Sequence, residues 1–194
     1  RYLLALRQGI EAGADVQGIS ATGYLSLLAL LLRLGCLDAD GHFRTPASPL
    51  ARRVAPPPQQ ARTGLRLPLP YGQWLAAADV EELLKVKAAF SQALEALLRA
   101  AGLAAADVAC LALAGALGEH CPPACLEELG FLPSGMGRRV RAVGNSSLDG
   151  AALLAAEPWR LPALARWCAA ATLVPVAEDP GFHADYLRHM RFGV

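Results

Sequence analysis

Residues 111–118 read Leu-Ala-Leu-Ala-Gly-Ala-Leu-Gly, an apolar run of strand character that stops on two glycines. No other stretch constrains the fold as much, because a strand without polar alternation is covered on both faces. A second strand, predicted at 139–143, stops the same way at Gly144 and runs into Asn145, Ser146 and Ser147. Helical patterns follow at 122–129, 146–156, 160–170 and 180–190, with one more strand predicted at 171–176. This strand–helix alternation implies an α/β fold with a mixed, largely parallel sheet flanked by helices, and with strand 108–114 at its centre.

In open α/β sheets, ligands bind beyond the carboxyl ends of the strands. Gly115 and Gly118 sit at such an end with Ala116 between them, and bare backbone lets a flat ligand approach closely. At the second turn, Gly144 is followed by Asn145 and Ser146, residue types that cap a helix while its amides point outward. Each turn alone also fits a tight connection without a ligand. Together, at two strand ends of one sheet, they are compatible with a nucleotide cleft.

The upstream half organises around a Leu-rich helix from about Tyr24 to Leu34, fed by the small-residue turn Gly18–Gly23 and stopped by Gly35. A tight turn is expected at Asp40-Gly41. Residues 45–63 are rich in Pro and Arg and read as a surface loop, in which Pro56-Pro57-Pro58 excludes regular structure. Short strands are predicted at 65–70 and 72–77, the first limited to a sheet edge by its prolines. Asp79 then opens the clearest helix, with Glu82 completing a capping box. Its buried stripe is expected to be Leu83, Val86, Phe90, Leu94 and Leu97, ending at Gly102. Lys87 on this helix reads either as a surface lysine lying along the protein or as a residue facing the cleft.

Composition excludes several classes of function. Lys and Arg number 18 against 17 acids, a net charge of +1, so there is no electrostatic case for nucleic acid or a membrane surface. The most apolar stretch, from Leu25, is broken by Arg33 and too short to span a bilayer. Five cysteines, an odd number, without a secretory signal point to a reducing, cytoplasmic setting. His120-Cys121-Pro122-Pro123-Ala124-Cys125 lacks the second close pair that structural zinc sites supply, so no metal site is expected. Neither a Walker A loop nor a nucleophile elbow is present.

Five segments in order carry a family resemblance: "GISATG…LLRLGCLDADGHF", "AAADVEELLKVKAAF", "LALAGALGEH…LEELGFLPSG", "VRAVGNSSLDGAALL" and "VPVAEDPGFHADYLRHMRF". From about Gly18 to Phe192 the chain resembles the C-terminal region of the reductive activators of corrinoid proteins, iron–sulfur ATPases of the acetate and sugar kinase/Hsc70/actin superfamily. The resemblance implies an RNase H-like, actin-like ATPase lobe that binds ATP with Mg and docks the corrinoid protein of a methyltransferase system. It implies that the parent returns Co(II) corrinoid to Co(I) for methyl transfer, using a plant-type [2Fe–2S] cluster in an N-terminal domain. The C-x4-C-x2-C spacing of such a cluster is absent here.

By the same resemblance, Gly115, Ala116 and Gly118 form the adenosine turn, where the family usually reads Ala-Gly-Gly-Phe-Gly. Gly144, Asn145 and Ser146 form the second turn. Thr22 and Gly23 stand where the family has Cys-Gly-Ser-Gly, and Asp79 and Lys87 match family positions. The expectation is a single C-terminal lobe over residues 1–194, with the iron–sulfur domain and first lobe outside this chain. Such a lobe should be inactive by itself and, with apolar surface uncovered, should form a homodimer. The alternatives are a kinase-like ATPase of the same superfamily and a non-catalytic dimerisation or interaction lobe.

Overall fold

Ser20 starts the first helix: its backbone is extended, and its Oγ accepts the Gly23 amide at 3.2 Å. This cap begins α1 (Ala21–Arg33) ahead of the Tyr24 expected from the leucine pattern. Leu25, Leu28, Ala29 and Leu31 face the core, and Gly35 ends the helix at a φ of 66°. The computed structural model describes residues 18–46, 48–54, 57–62 and 64–193.

Residues 45–63 hold more order than their prolines imply, although Pro56 of the proline run lies outside the described residues. Pro49, at the first helical position where its missing N–H costs nothing, opens α2 (Pro49–Val54). Strand β1 (Gln59–Ala61) follows and pairs antiparallel with β2 (Gly64–Pro68), which pairs antiparallel with β3 (Trp74–Ala76). The strand expected at an edge is therefore the middle one. Pro68 is tolerated because it is the last residue of β2, opposite Trp74. Leu67 and Leu75, paired across the sheet, point into the core.

Helix α3 (Ala77–Ala100) is the longest described. Asp79 is its third residue rather than its cap, and its Oδ2 reaches back to accept the Ala76 amide at 2.9 Å. Glu82 has no part in capping and instead holds Lys85 at 2.8 Å on the surface. The buried stripe also differs from the expected one. Leu83, Phe90 and Leu94 pack half-buried against the core as expected. But Val80, Leu84, Lys87, Ala88, Ser91 and Gln92 are the fully buried residues, and Val86 and Leu97 are 59% and 55% exposed. The reason lies in what α3 packs against. Lys87 Nζ donates to the carbonyls of His189 and Arg191 at 3.0 and 2.7 Å. Ser91 donates to Gly130 O at 2.9 Å and Gln92 to Phe182 O at 2.7 Å. Carbonyls at the two ends of the C-terminal helix and in the loops at Gly130 and Arg191, buried beside α3, take donors, and a polar stripe supplies them where leucine would not.

The second half holds the strand–helix units. Strand β4 (Leu111–Leu113) leads through helices α4 (Gly115–His120) and α5 (Pro123–Glu128) to β5 (Val140–Ala142), which lies parallel to β4. Leu111 pairs with Val140 and Leu113 with Ala142. Among the described residues β4 pairs with β5 alone, so it is not the centre of a larger sheet. Leu111 and Leu113 are half-buried and Ala112 is exposed. The run that reads as uniformly apolar is an alternation of large inward leucines with small outward alanines. Parallel and antiparallel pairings thus occupy two separate small sheets flanked by helices.

Helix α6 (Ser146–Ala156) and helix α7 (Leu161–Ala170) match the expected ranges, but neither contains a buried residue. The strand expected at 171–176 does not form: Leu173 is 86% exposed, and the chain turns in a short 3-10 segment, Val176–Glu178. Helix α8 (Phe182–His189) packs on α3, where Glu95 accepts from Arg188 at 2.9 Å and contacts His189 Nε2 at 2.8 Å.

Candidate functional site

The carboxyl ends of β4 and β5 meet in a doubly stitched pair of turns. Val143 N donates to Leu113 O at 3.0 Å, and Gly115 N donates to Gly144 O at 2.7 Å. Gly115 and Gly144 both have left-handed backbone, at φ 77° and 65°. That conformation favours glycine, and a Cβ built at either position would meet nothing within 4 Å. The space in front of both glycines is open. Asn145 caps α6 by accepting the Leu148 amide on its Oδ1 at 3.2 Å, and Ser146 begins that helix, both exposed. The turns therefore present bare backbone next to a capped helix start, a surface on which a flat, polar-edged ligand can lie.

Gly118 is glycine for a different reason. A Cβ there would lie 2.5 Å from Leu113 O and 2.7 Å from Leu113 Cβ, so its bareness lets α4 fold back on the strand that precedes it. Gly118 is buried and turned toward the strand rather than the open face. The backbone of Ala116 belongs to α4; its side chain lies outside what the structure describes.

The other expected site residues gather elsewhere. Thr22 Oγ1 lies 3.3 Å from the capping Ser20 Oγ, and Gly23 is buried in the first turn of α1. Near them, Tyr24, Leu28, Asp79, Glu82, Leu83 and Val86 line a groove of about 350 Å³ between α1 and α3. Partial burial, and then the nearby Asp79 charge, raises the Tyr24 phenol above its ordinary range. Sequence reasoning misses Tyr24, although its place two residues after Thr22 keeps it in the same turn. Helix α1 also contacts α4, and so links this groove to the glycine turns.

Lys87 is neither a surface lysine nor a residue of an open cleft. It is fully buried, and burial, then the Arg188 charge, lowers its ammonium to about 8. Its function in the fold is to tie the C-terminal segment to α3.

Of the cysteines, Cys36, Cys121 and Cys125 are buried, and Cys110 and Cys168 are exposed. Burial, then the neighbouring Cys125, pushes the Cys121 thiol up to about 11, so the metal-free thiol is protonated at neutral pH. Among the described residues, Asp38, Asp40 and His42 are the one trio close enough to share an ion. Those carboxylates already have partners. Asp38 accepts the Asp40 and His42 amides and pairs with Arg44 at 2.7 Å, and Asp40 pairs with Arg191 at 2.7 Å. The trio forms the tight turn expected at Asp40-Gly41.

Two stitched glycine turns at the ends of parallel strands, each followed by a helix, thus make up the candidate site. The model of a protein family described as the C-terminal domain of RACo, the ASKHA domain, matches residues 5–193. The chain belongs to this family. RACo denotes the reductive activators of corrinoid proteins. A solved structure named "Reductive activator for corrinoid,iron-sulfur protein" superposes on the RACo-type domain with a TM-score of 0.78 at 20% identity. The alignment covers 94% of this chain and 29% of that one, so the domain spans under a third of that activator's length. At this identity the likeness speaks to the fold: an actin-like α/β lobe, as expected. No curated protein sequence matches the chain.

Proposed function

We propose that this RACo-type domain forms the adenosine side of an ATP site in a reductive activator. In that role it helps return the Co(II) corrinoid of a methyltransferase system to Co(I). The observation that carries the reading is the paired open backbone at Gly115 and Gly144, joined by a 2.7 Å hydrogen bond at the carboxyl ends of parallel strands. Adenosine fits this surface because the absent Cβ atoms leave room for a flat ring and the exposed Asn145 and Ser146 offer polar edges. When bound, ATP supplies the free energy that makes an uphill one-electron reduction possible. This chain's own residues hold the base and ribose and keep the two turns in register. Mg fits less well, because the trio of Asp38, Asp40 and His42 is committed to its own turn. We assign Mg and the phosphates to the partner lobe of a two-lobed ATPase, and the [2Fe–2S] cluster to a separate domain.

The activator's partner on this reading is a corrinoid protein, the kind of protein for which the similar structure is named. We place the activator in a reducing, cytoplasmic setting, which this chain's odd number of cysteines suits. The assay is Co(II)-to-Co(I) reduction of a corrinoid protein by an activator carrying this domain, with a low-potential donor and ATP. Gly115→Val, whose branched side chain occupies the open face, should raise the ATP concentration needed for half-maximal rate. An unchanged ATP dependence would reject the assignment.

A second reading, association with another copy, has its own observation. Helices α6 and α7 bury nothing, and Trp159, Trp167 and Leu173 are 71%, 79% and 86% exposed. With Leu153, Leu154, Leu164 and Trp167 lining one groove on these helices, this apolar surface supports an interaction site.

A further inference from the structure

The antiparallel sheet has an outer face that the nucleotide reading does not use. With Leu67 and Leu75 turned inward, alternation puts Arg66, Pro68 and Trp74 on the opposite face. The register sets Gln59 directly across from Arg66, and Trp74 across from Pro68. Trp74 is thus the diagonal neighbour of Arg66, and the guanidinium stacks over its indole, 5.1 Å from the ring centre.

The state of Arg66 is unusual in this protein. Its Nε is buried and donates to nothing, and no carboxylate among the described residues lies within ion-pair distance of it. Arg33, Arg44, Arg99, Arg188 and Arg191 have carboxylate partners, and Arg62, Arg138, Arg141 and Arg166 are exposed to water. Among the described arginines Arg66 alone has a buried, unpartnered Nε. A guanidinium carries five donors in a fixed fork, and buried donors in folded proteins are almost always used. The stack on Trp74 holds this fork in place without satisfying it.

A groove of about 520 Å³ runs along this face, lined by Gln59, Gln60, Arg66, Pro68, Gln73 and Trp74 among others. Among the described residues its lining contains no acidic residue, and Arg66 is the one cation there. The turn beside it holds Tyr71 at φ 66°, the sole non-glycine residue with left-handed backbone among those described. Such strain concentrates where a loop shapes a binding site.

We infer that this groove binds a small organic carboxylate with a flat apolar body. The Arg66 fork takes the carboxylate, for which its planar geometry is suited. The side-chain amides of Gln59 and Gln73 hydrogen-bond its edges, and Trp74 and Pro68 flank the body. A single cation balances a monovalent carboxylate, whereas a phosphate dianion would leave a charge uncompensated. The volume falls within the range of small-molecule sites. The site shares no residue with the glycine turns, so it stands or falls independently of the nucleotide.

The test is a two-dimensional ¹H–¹⁵N NMR titration of the whole chain, observing the Trp74 indole N–H and the Arg66 Nε–H. The probes are benzoate, its neutral isostere benzamide, and inorganic phosphate. Benzoate should shift both signals saturably with a Kd of about 1 mM, while benzamide and phosphate leave them in place. Arg66→Gln should abolish the benzoate shift at Trp74. The inference is overturned if benzamide shifts the signals equally or phosphate binds more tightly. It is also overturned if benzoate fails to saturate below about 50 mM, a Kd too weak for a built site. Should Arg66→Gln fail to fold, the wild-type comparison of benzoate with benzamide decides the question alone.

Discussion

Substituting alanine at Gly118 and at Gly115 separates a glycine needed for packing from a glycine facing open space. In an ordinary helix Gly→Ala stabilises by about 1 kcal/mol. At Gly118 the added Cβ would sit 2.5 Å from Leu113 O, 2.7 Å from Leu113 Cβ and 2.8 Å from Leu113 C. Two of those atoms are backbone and cannot rotate away, so α4 must lift off β4. Overpacking of this kind costs about 1–3 kcal/mol, and the contact with fixed backbone places Gly118→Ala at the upper end. For a chain of this size that lowers Tm by roughly 6–10 °C. At Gly115 nothing lies within 4 Å of a new Cβ, and only the left-handed φ of 77° opposes the change. That costs about 1 kcal/mol, or roughly 2–4 °C. Differential scanning calorimetry of both variants gives the ordering directly. If Gly118→Ala melts at or above Gly115→Ala, the packing assignment of Gly118 is wrong.

Three further outcomes are expected. Replacing Lys87 by Met strips donors from the His189 and Arg191 carbonyls and should destabilise by about 2–4 kcal/mol in urea melts near neutral pH. Lys87 titrates near 8 when folded against 10.5 in its ordinary state, so the unfolded chain binds more protons between these values. Wild-type stability relative to Lys87→Met should therefore rise by about 2 kcal/mol from pH 7.5 to 10; a difference that falls over this range would refute the buried-lysine account. A native thiol titration should find Cys110 and Cys168 reacting rapidly and Cys36, Cys121 and Cys125 only on unfolding; rapid modification of Cys121 would contradict its burial. Sedimentation of the wild type should show self-association at high concentration that Trp167→Lys weakens, and a strictly monomeric wild type would remove the second reading.

How much of the fold is legible in the sequence follows from how local each signal is. The Asn145 cap and the residues after it are a short-range device, and α6 forms over Ser146–Ala156 as expected. Helix α4 is hidden, because Gly115 to Gly118 reads as a turn until Gly118 is seen to let the chain coil against Leu113. The stripe of α3 departs from its periodicity because hydrophobic periodicity assumes an apolar neighbour. Lys87, Ser91 and Gln92 instead meet backbone carbonyls from residues 130 to 191, a pairing that only the tertiary fold creates. For the same reason the sequence leaves Lys87 open between surface and cleft, when it is neither. The strand expected at 171–176 fails because β propensity needs a partner strand, and none is present among the described residues. At the candidate site, Gly115, Gly144, Asn145 and Ser146 converge as the two strand ends require. Thr22 and Gly23 lie beside a separate groove that Asp79 lines, and α1 connects that groove to the turns through its contact with α4.

The central claim is that adenosine lies against Gly115 and Gly144. The chain labelled with ¹⁵N-glycine, titrated with adenosine and observed by ¹H–¹⁵N correlation, tests it residue by residue. The account predicts saturable shifts at the Gly115 and Gly144 amides, with Gly35, Gly102 and Gly193 unmoved. The expected Kd is about 1 mM or weaker, since one face of the ligand is held. Adenosine shifts centred on glycines away from these turns, or none at Gly115 and Gly144 at saturating concentration, would contradict it.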